Sequence, residues 1–160
     1  MNKQEIYAFL AENGVWHEIT EHKAVFNMAE LAEVEIPHPE GDAKNLFLRD
    51  DKKRGYYLLT VRGDKRVDLK QFRRAHGLRP LSFASEEELA ALLGLFSGAV
   101  TPLGLLNDAE CRVQLFLDAE FDGQIIGVHP NDNTATVWIP AADLVSLLRA
   151  HGSPVEWVTL

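Results

Sequence analysis

The sequence predicts a mixed α/β fold: a mixed, largely antiparallel β-sheet with flanking helices. Three observations predict it. Helix-period and strand-period segments alternate along the 160 residues. Polar turns separate neighbouring strand patterns at hairpin spacing. Helix starts marked by capping residues recur between the strands. The frequency of hairpins argues against a doubly wound parallel sheet. No linker or low-complexity stretch interrupts the pattern, so one domain over residues 1–160 is expected.

Residues 3–12 read as a helix with Ile6, Phe9 and Leu10 on one face and Gly14 beyond its end. Val15 to Thr20 alternates as a strand does. Asn27 and Glu30 stand at capping-box spacing, which predicts a short helix there. The run Ile36-Pro37-His38-Pro39-Glu40-Gly41 is a loop. Lys44–Arg49 and Tyr56–Arg62 are strands around the polar turn 50–55. Asp68 caps a helix to His76, with Gly77 at its end. Ser85 and Glu88 form a second capping box, opening a helix that stops at Gly94. Residues 111–117, 124–129 and 134–139 read as strands. Ala141–Ala150 is an amphipathic helix, and 154–159 a final strand.

Charge is strongly segregated. Residues 44–79 hold twelve of the sixteen Lys and Arg against four acids, a net +8, while the rest of the chain holds four bases against twenty acids, a net −16. An acidic protein of this kind can bind a polyanion through one local patch while its remainder repels other approaches. The competing expectation is a set of ordinary solvated faces. No apolar run approaches the roughly 20 residues of a membrane span, and the N-terminus has no apolar secretory core. These features fit a cytoplasmic protein without membrane partners. Cys111 is the single cysteine, so no intrachain disulfide forms. It is expected to be a buried, inert thiol in a strand.

Phosphate-loop, dinucleotide-loop, zincin and serine-hydrolase signatures are all missing. The six histidines are scattered without i, i+4 pairing. Neither a metal nor another cofactor is expected. Three local features remain. Lys44-Asn45 opens a strand. There it is either a solvated strand end or an anion site with the Asn45 amide beside the ammonium. Gly98-Ala99-Val100-Thr101-Pro102 is either a plain turn or a loop that points successive N–H groups at an oxyanion. His129-Pro130 ends a strand, where a histidine is either structural or part of a site.

Taken in order, Glu21-His22 before Ala24-Val25-Phe26, Lys44-Asn45-Leu46-Phe47-Leu48, Gly98–Pro102 and His129-Pro130 resemble the YbaK/ProX family. These are free-standing relatives of the editing domain inserted in bacterial prolyl-tRNA synthetases. The resemblance spans nearly the whole chain, and the asparagine after the lysine resembles the ProX branch more than the cysteinyl branch.

The resemblance implies hydrolysis of the ester between a wrong amino acid and tRNA, with alanine on tRNA(Pro) the first candidate. Lys44 would engage the phosphate or ribose end of the tRNA. Backbone N–H groups near Gly98 would hold the ester and its developing oxyanion. Asn45, Thr101, Pro102 and His129 would line the substrate site, with Val25 and Phe26 as an apolar wall. Leu31 is as well placed to be core. Lys52, Lys53, Arg54, Arg73 and Arg74 would face tRNA within the basic segment. The resemblance also offers prolyl-tRNA synthetase as a recruiting partner. A cysteinyl-tRNA deacylase, and a binding module that holds aminoacyl-tRNA or a synthetase without chemistry, stay open as alternatives. The sequence leaves oligomeric state open.

Overall fold

The computed structural model describes residues 1–24 and 36–160. The capping-box helix expected at Asn27, together with Val25, Phe26 and Leu31, lies outside the described residues. In chain order the described elements are α1 (Lys3–Glu12), β1 (Glu18–Glu21), β2 (Ala43–Asp50), β3 (Tyr56–Arg62), α2 (Leu69–Ala75), β4 (Leu81–Phe83), α3 (Glu86–Leu93), β5 (Val113–Asp118), β6 (Ile125–Val128), β7 (Ala135–Pro140), α4 (Ala141–His151) and β8 (Val155–Val158). Short 3-10 turns occupy Pro39–Gly41, Pro102–Asn107 and Ala119–Phe121.

The strands form two sheets. β1, β7 and β6 make a three-stranded antiparallel sheet, and β4-β2-β3-β5-β8 a five-stranded mixed one. In the latter, β2 pairs antiparallel with β3 and β4, whereas β5 runs parallel to both β3 and β8. The mixed, largely antiparallel sheet expected from the hairpin signals is therefore present.

Period-two alternation sorts the five-stranded sheet into two faces. Phe47, Leu58, Leu115 and Leu117 face a large core filled by Ile6 and Leu10 of α1, Leu89 and Leu93 of α3, the inner face of α4, and Val137 and Ile139 of the smaller sheet. Leu48, Leu59, Phe116 and Val158 face the other way, onto Phe72 of α2. Both faces are covered, which is why β3 and β5 read as nearly continuous apolar runs.

Local chemistry fixes the helix ends. Asn2, Asp68 and Ser85 cap α1, α2 and α3 through their side chains, the first and last as full capping boxes. The α3 box doubles as a dock. Glu88 also accepts from the Tyr56 hydroxyl at 2.6 Å and pairs with Arg49 at 3.2 Å. The bond from Tyr56, then the Ser85 amide and the Arg49 charge, hold its carboxyl at about 2.

Three expectations need correction. The first strand begins at Glu18, because Val15 is drawn into the core at the end of α1. A short strand, β4, was not expected; its three residues pair with Leu48–Asp50. Cys111 precedes β5 rather than lying in it. It sits half-buried in a turn at φ +53°, with its amide on Asp108 O.

Candidate functional site

β2 carries the first two candidates on opposite faces. The Asn45 side chain turns toward the main core, where Nδ2 donates to Val100 O at 3.2 Å and Oδ1 accepts from Thr60 Oγ1 at 2.6 Å. Lys44 shares the other face with Leu46 and Leu48. The asparagine amide does not stand beside the ammonium, because consecutive strand residues point apart. Asn45 instead braces the Gly98–Pro102 loop. Lys44 is half-buried and has no hydrogen-bond or ion-pair partner among the described residues.

The loop that Asn45 braces is built for open amides. Gly98 has φ +97°, a region that L side chains rarely enter. Ala99 N donates to Phe96 O at 3.1 Å and closes a turn. Among the described residues, the neighbouring N–H groups of Ser97, Gly98, Val100 and Thr101 reach no acceptor. Thr101 is fully buried and anchors the loop's exit. Its Oγ1 donates to His129 O at 2.7 Å and accepts from Leu103 N at 3.3 Å, capping the 3-10 turn that Pro102 opens.

His129 follows β6. Its Nδ1 donates to Ala135 O at 3.0 Å, leaving Nε2 with an unused lone pair. Burial pushes its pKa below the ordinary histidine range, and the neighbouring His22 adds to this, so the ring is neutral. His22 meets it edge-on, with ring centroids 6.3 Å apart. His22 donates from Nδ1 to Lys23 O at 2.8 Å, which leaves Nε2 to accept from Thr136 Oγ1 at 3.0 Å. Asn45, Val100, Thr101, His129 and His22 thus form one continuous chain of contacts. Features separated by 55 and 28 positions in sequence are brought together.

This constellation lies within residues 22–147, which match the family model for the aminoacyl-tRNA editing domain. The chain belongs to the aminoacyl-tRNA editing domain family. It is 38% identical over 159 residues to the prolyl-tRNA editing protein ProX of Acetoanaerobium sticklandii, covering 99% of this chain and 97% of that protein. It is 33% identical to the prolyl-tRNA synthetase associated domain-containing protein 1 of Xenopus laevis, with 94% and 92% covered. In fold it resembles the crystal structure of a candidate trans-editing enzyme for prolyl tRNA synthetase, with a TM-score of 0.71, 24% identity, and 99% and 96% of the two chains covered.

The editing domain's basic segment divides in two. Arg49 pairs with Glu88, Arg62 with Asp64 and Glu120, Lys65 with Asp118 and Glu120, and Arg79 with Asp51. Lys44, Lys52, Lys53, Arg54, Arg66, Lys70, Arg73 and Arg74 have no acid partner among the described residues. Lys52, Lys53 and Arg54 sit on the β2–β3 turn, whose amides at 52, 54 and 55 are gathered by Asp50. Burial alone would raise the Asp50 carboxyl, but these three donors bring it below its usual value. The turn is at the far end of β2 from Lys44, about 23 Å along the strand.

Sequence reasoning used His22 only for the resemblance; its position against His129 depends on the β1–β7 pairing. It also passed over Phe96, which opens the loop turn and is 47% exposed. Among the described residues no group of three or more His, Cys, Asp or Glu could hold a metal. No described helix is long and apolar enough to cross a membrane.

Proposed function

We propose that this aminoacyl-tRNA deacylase is a trans-editing hydrolase, and that alanine on tRNA(Pro) is the ester it removes. The observation that carries the reading is the loop at 97–101. Four of its amides are uncommitted within the described chain, and Thr101 staples it to the backbone of a neutral histidine.

The chemistry needs little more than positioning. Water attacks the ester carbonyl, and the carbonyl electrons move onto oxygen. N–H groups near Gly98 donate to that oxyanion as it forms. Collapse of the intermediate expels the ribose oxygen, which takes up a proton, and the free amino acid leaves. The substrate's own ribose hydroxyl helps to orient the water. An aminoacyl ester is already activated, so orientation and oxyanion stabilisation suffice without a strong side-chain base. His129 Nε2, neutral and unpartnered, accepts a hydrogen bond from the substrate's α-ammonium. Lys44 binds a phosphate at the tRNA end.

Preference for alanine over proline follows from volume, because a pocket shaped for a methyl group excludes a ring. The apolar wall assigned to Val25 and Phe26 belongs to this proposal. The substrate class places the reaction in the cytoplasm, where tRNA is charged. Sequence relatives named for prolyl-tRNA editing and for association with prolyl-tRNA synthetase support tRNA(Pro), and a synthetase partner, as the specific choice. The test is a deacylation assay with alanyl-, cysteinyl-, seryl- and prolyl-tRNA(Pro). Alanyl ester should be lost fastest and prolyl ester spared. Faster loss of the cysteinyl ester would reassign the pocket, and no ester loss above the uncatalysed rate would leave a binding module.

A further inference from the structure

The face of the five-stranded sheet that carries Lys44 holds a second recess. α2, the chain leading into it and the end of the chain at Leu160 enclose about 220 Å³. That is smaller than the roughly 300–1,000 Å³ typical of drug-sized ligands, so it suits a single flat ring system. Two of the lining residues, Phe72 and His76, carry aromatic rings, and Phe116 packs behind them. His76 packs on Phe72 at 4.5 Å and on Phe116 at 5.2 Å, and those two rings meet edge-to-face at 5.0 Å. Val67 and Leu160 complete an apolar floor.

Polar groups converge on the same opening. The Gln71 side-chain amide, which carries both donors and an acceptor, has no partner among the described residues. The Asp68 carboxylate on the rim is committed to capping α2 through Gln71 N at 3.1 Å. Arg66, one of the cations without an acid partner among the described residues, lines the opening, whereas Lys70, Arg73 and Arg74 project from the other side of α2. Aromatic rings, a free amide and an unpaired cation are the complement of a nucleotide: ring face, base edge and flanking phosphate. Lys44 lies on this same face of the sheet, while Asn45 braces the Gly98–Pro102 loop on the other.

We propose that this recess receives one unstacked nucleobase of the bound tRNA, with an adjoining phosphate on Arg66. The inference rests on the reading of the chain as a tRNA deacylase. It adds a second anchoring point, distinct from the ester site.

Two variants test it. Ala75→Trp fills the recess from α2, and Gln71→Ala, at an exposed position, removes the base-edge partner with no demand on packing. Affinity for uncharged tRNA(Pro), and KM and kcat on alanyl-tRNA(Pro), are compared with rates on alanyl-adenosine, which is too short to reach the recess. Ala75→Trp should raise Kd and KM about tenfold, equivalent to about 1.4 kcal/mol, with kcat and the alanyl-adenosine rate unchanged. Gln71→Ala should move the same parameters in the same direction by less.

Wild-type affinity and KM in both variants would overturn the proposal. So would an equal loss on alanyl-adenosine, which would mean that the substitutions act through the fold. Saturable binding of AMP alone, abolished by Ala75→Trp, would give the recess to a free nucleotide and overturn it as well. A wild-type protein that binds tRNA without hydrolysing any ester removes the deacylase reading, while the affinity comparison still decides the recess. A wild-type protein that binds no tRNA removes both.

Discussion

The Thr101 hydroxyl donates to the backbone carbonyl of His129 at 2.7 Å and so fastens the Gly98–Pro102 loop to the end of β6. Thr101 is fully buried, and the same oxygen caps the following 3-10 turn. Thr101→Val keeps the shape but leaves a buried carbonyl and the Leu103 amide unpaired. The expected loss is about 1–3 kcal/mol in urea unfolding. Single-turnover deacylation should slow beyond what the unfolded fraction explains, and Thr101→Ser should restore most of both. A Thr101→Val protein that is destabilised yet fully active per folded molecule would make the staple purely structural.

Lys44→Ala should separate activity from stability in the opposite sense. The ammonium has no partner among the described residues, so its removal should change unfolding free energy by about 0.5 kcal/mol or less. If it holds a tRNA phosphate, kcat/KM on alanyl-tRNA should fall strongly, with KM carrying much of the change. Wild-type kinetics in a folded Lys44→Ala protein would remove it from the site.

Gly98→Val is expected to damage both properties. At φ +97° any L side chain is strained, by about 1–3 kcal/mol. The branched side chain also enters the space where backbone must approach the ester. Activity per folded molecule, taken from parallel thermal melts and rate measurements, should therefore fall as well. A rate that tracks only the folded fraction would reduce Gly98 to a turn residue.

What was legible in the sequence was mostly local. The Ser85–Glu88 box and Gly94 announce α3 because capping uses neighbours within one turn. The β2–β3 hairpin is announced by a polar turn between two apolar runs. β4 was illegible because three residues carry no period; its strand character comes from pairing with Leu48–Asp50. The site was legible as three separate segments but not as an arrangement. Lys44-Asn45 reads as one unit in sequence, yet the pleat sends the two side chains to opposite faces. The contacts from Asn45 to Val100, from Thr101 to His129, and from His22 to His129 are all long-range, with no local signal.

The His129 ring should set the acid limb of activity. Burial lowers its pKa, so the neutral form persists below the pH at which a free histidine becomes charged. The sign follows. Function that needs the neutral ring is complete above the ordinary value of about 6.5 and is lost only as pH falls through the lower folded value. The stability contribution of the neutral ring has the same direction. A profile of kcat/KM against pH should show an acid limb below 6.5. In His129→Asn that limb should vanish, and the plateau should drop about 10–100-fold if the ring accepts from the substrate ammonium. An unchanged limb in His129→Asn would assign it to another group.

The segregated charge gives the last expectation, and the structure narrows which cations matter. Each phosphate neutralised on binding releases counterions, so affinity for tRNA should fall steeply with salt. Cations already paired with acids can add little, because a phosphate must compete with the carboxylate in place. Arg73 and Arg74 lie in the last turn of α2 without acid partners, whereas Arg79 is held by Asp51 at 2.6 Å. Reversing Arg73 and Arg74 to Glu should weaken tRNA binding and flatten the logarithmic salt slope by about 1–2 units. Arg79→Gln should change the slope much less, and Arg149→Gln, outside the basic segment, should leave it unchanged. Equal slopes across all three proteins would show that tRNA docks elsewhere and that the basic segment is only a solvated face. A large effect confined to Arg79→Gln would show instead that the hairpin turn, at the far end of β2 from Lys44, is the docking end.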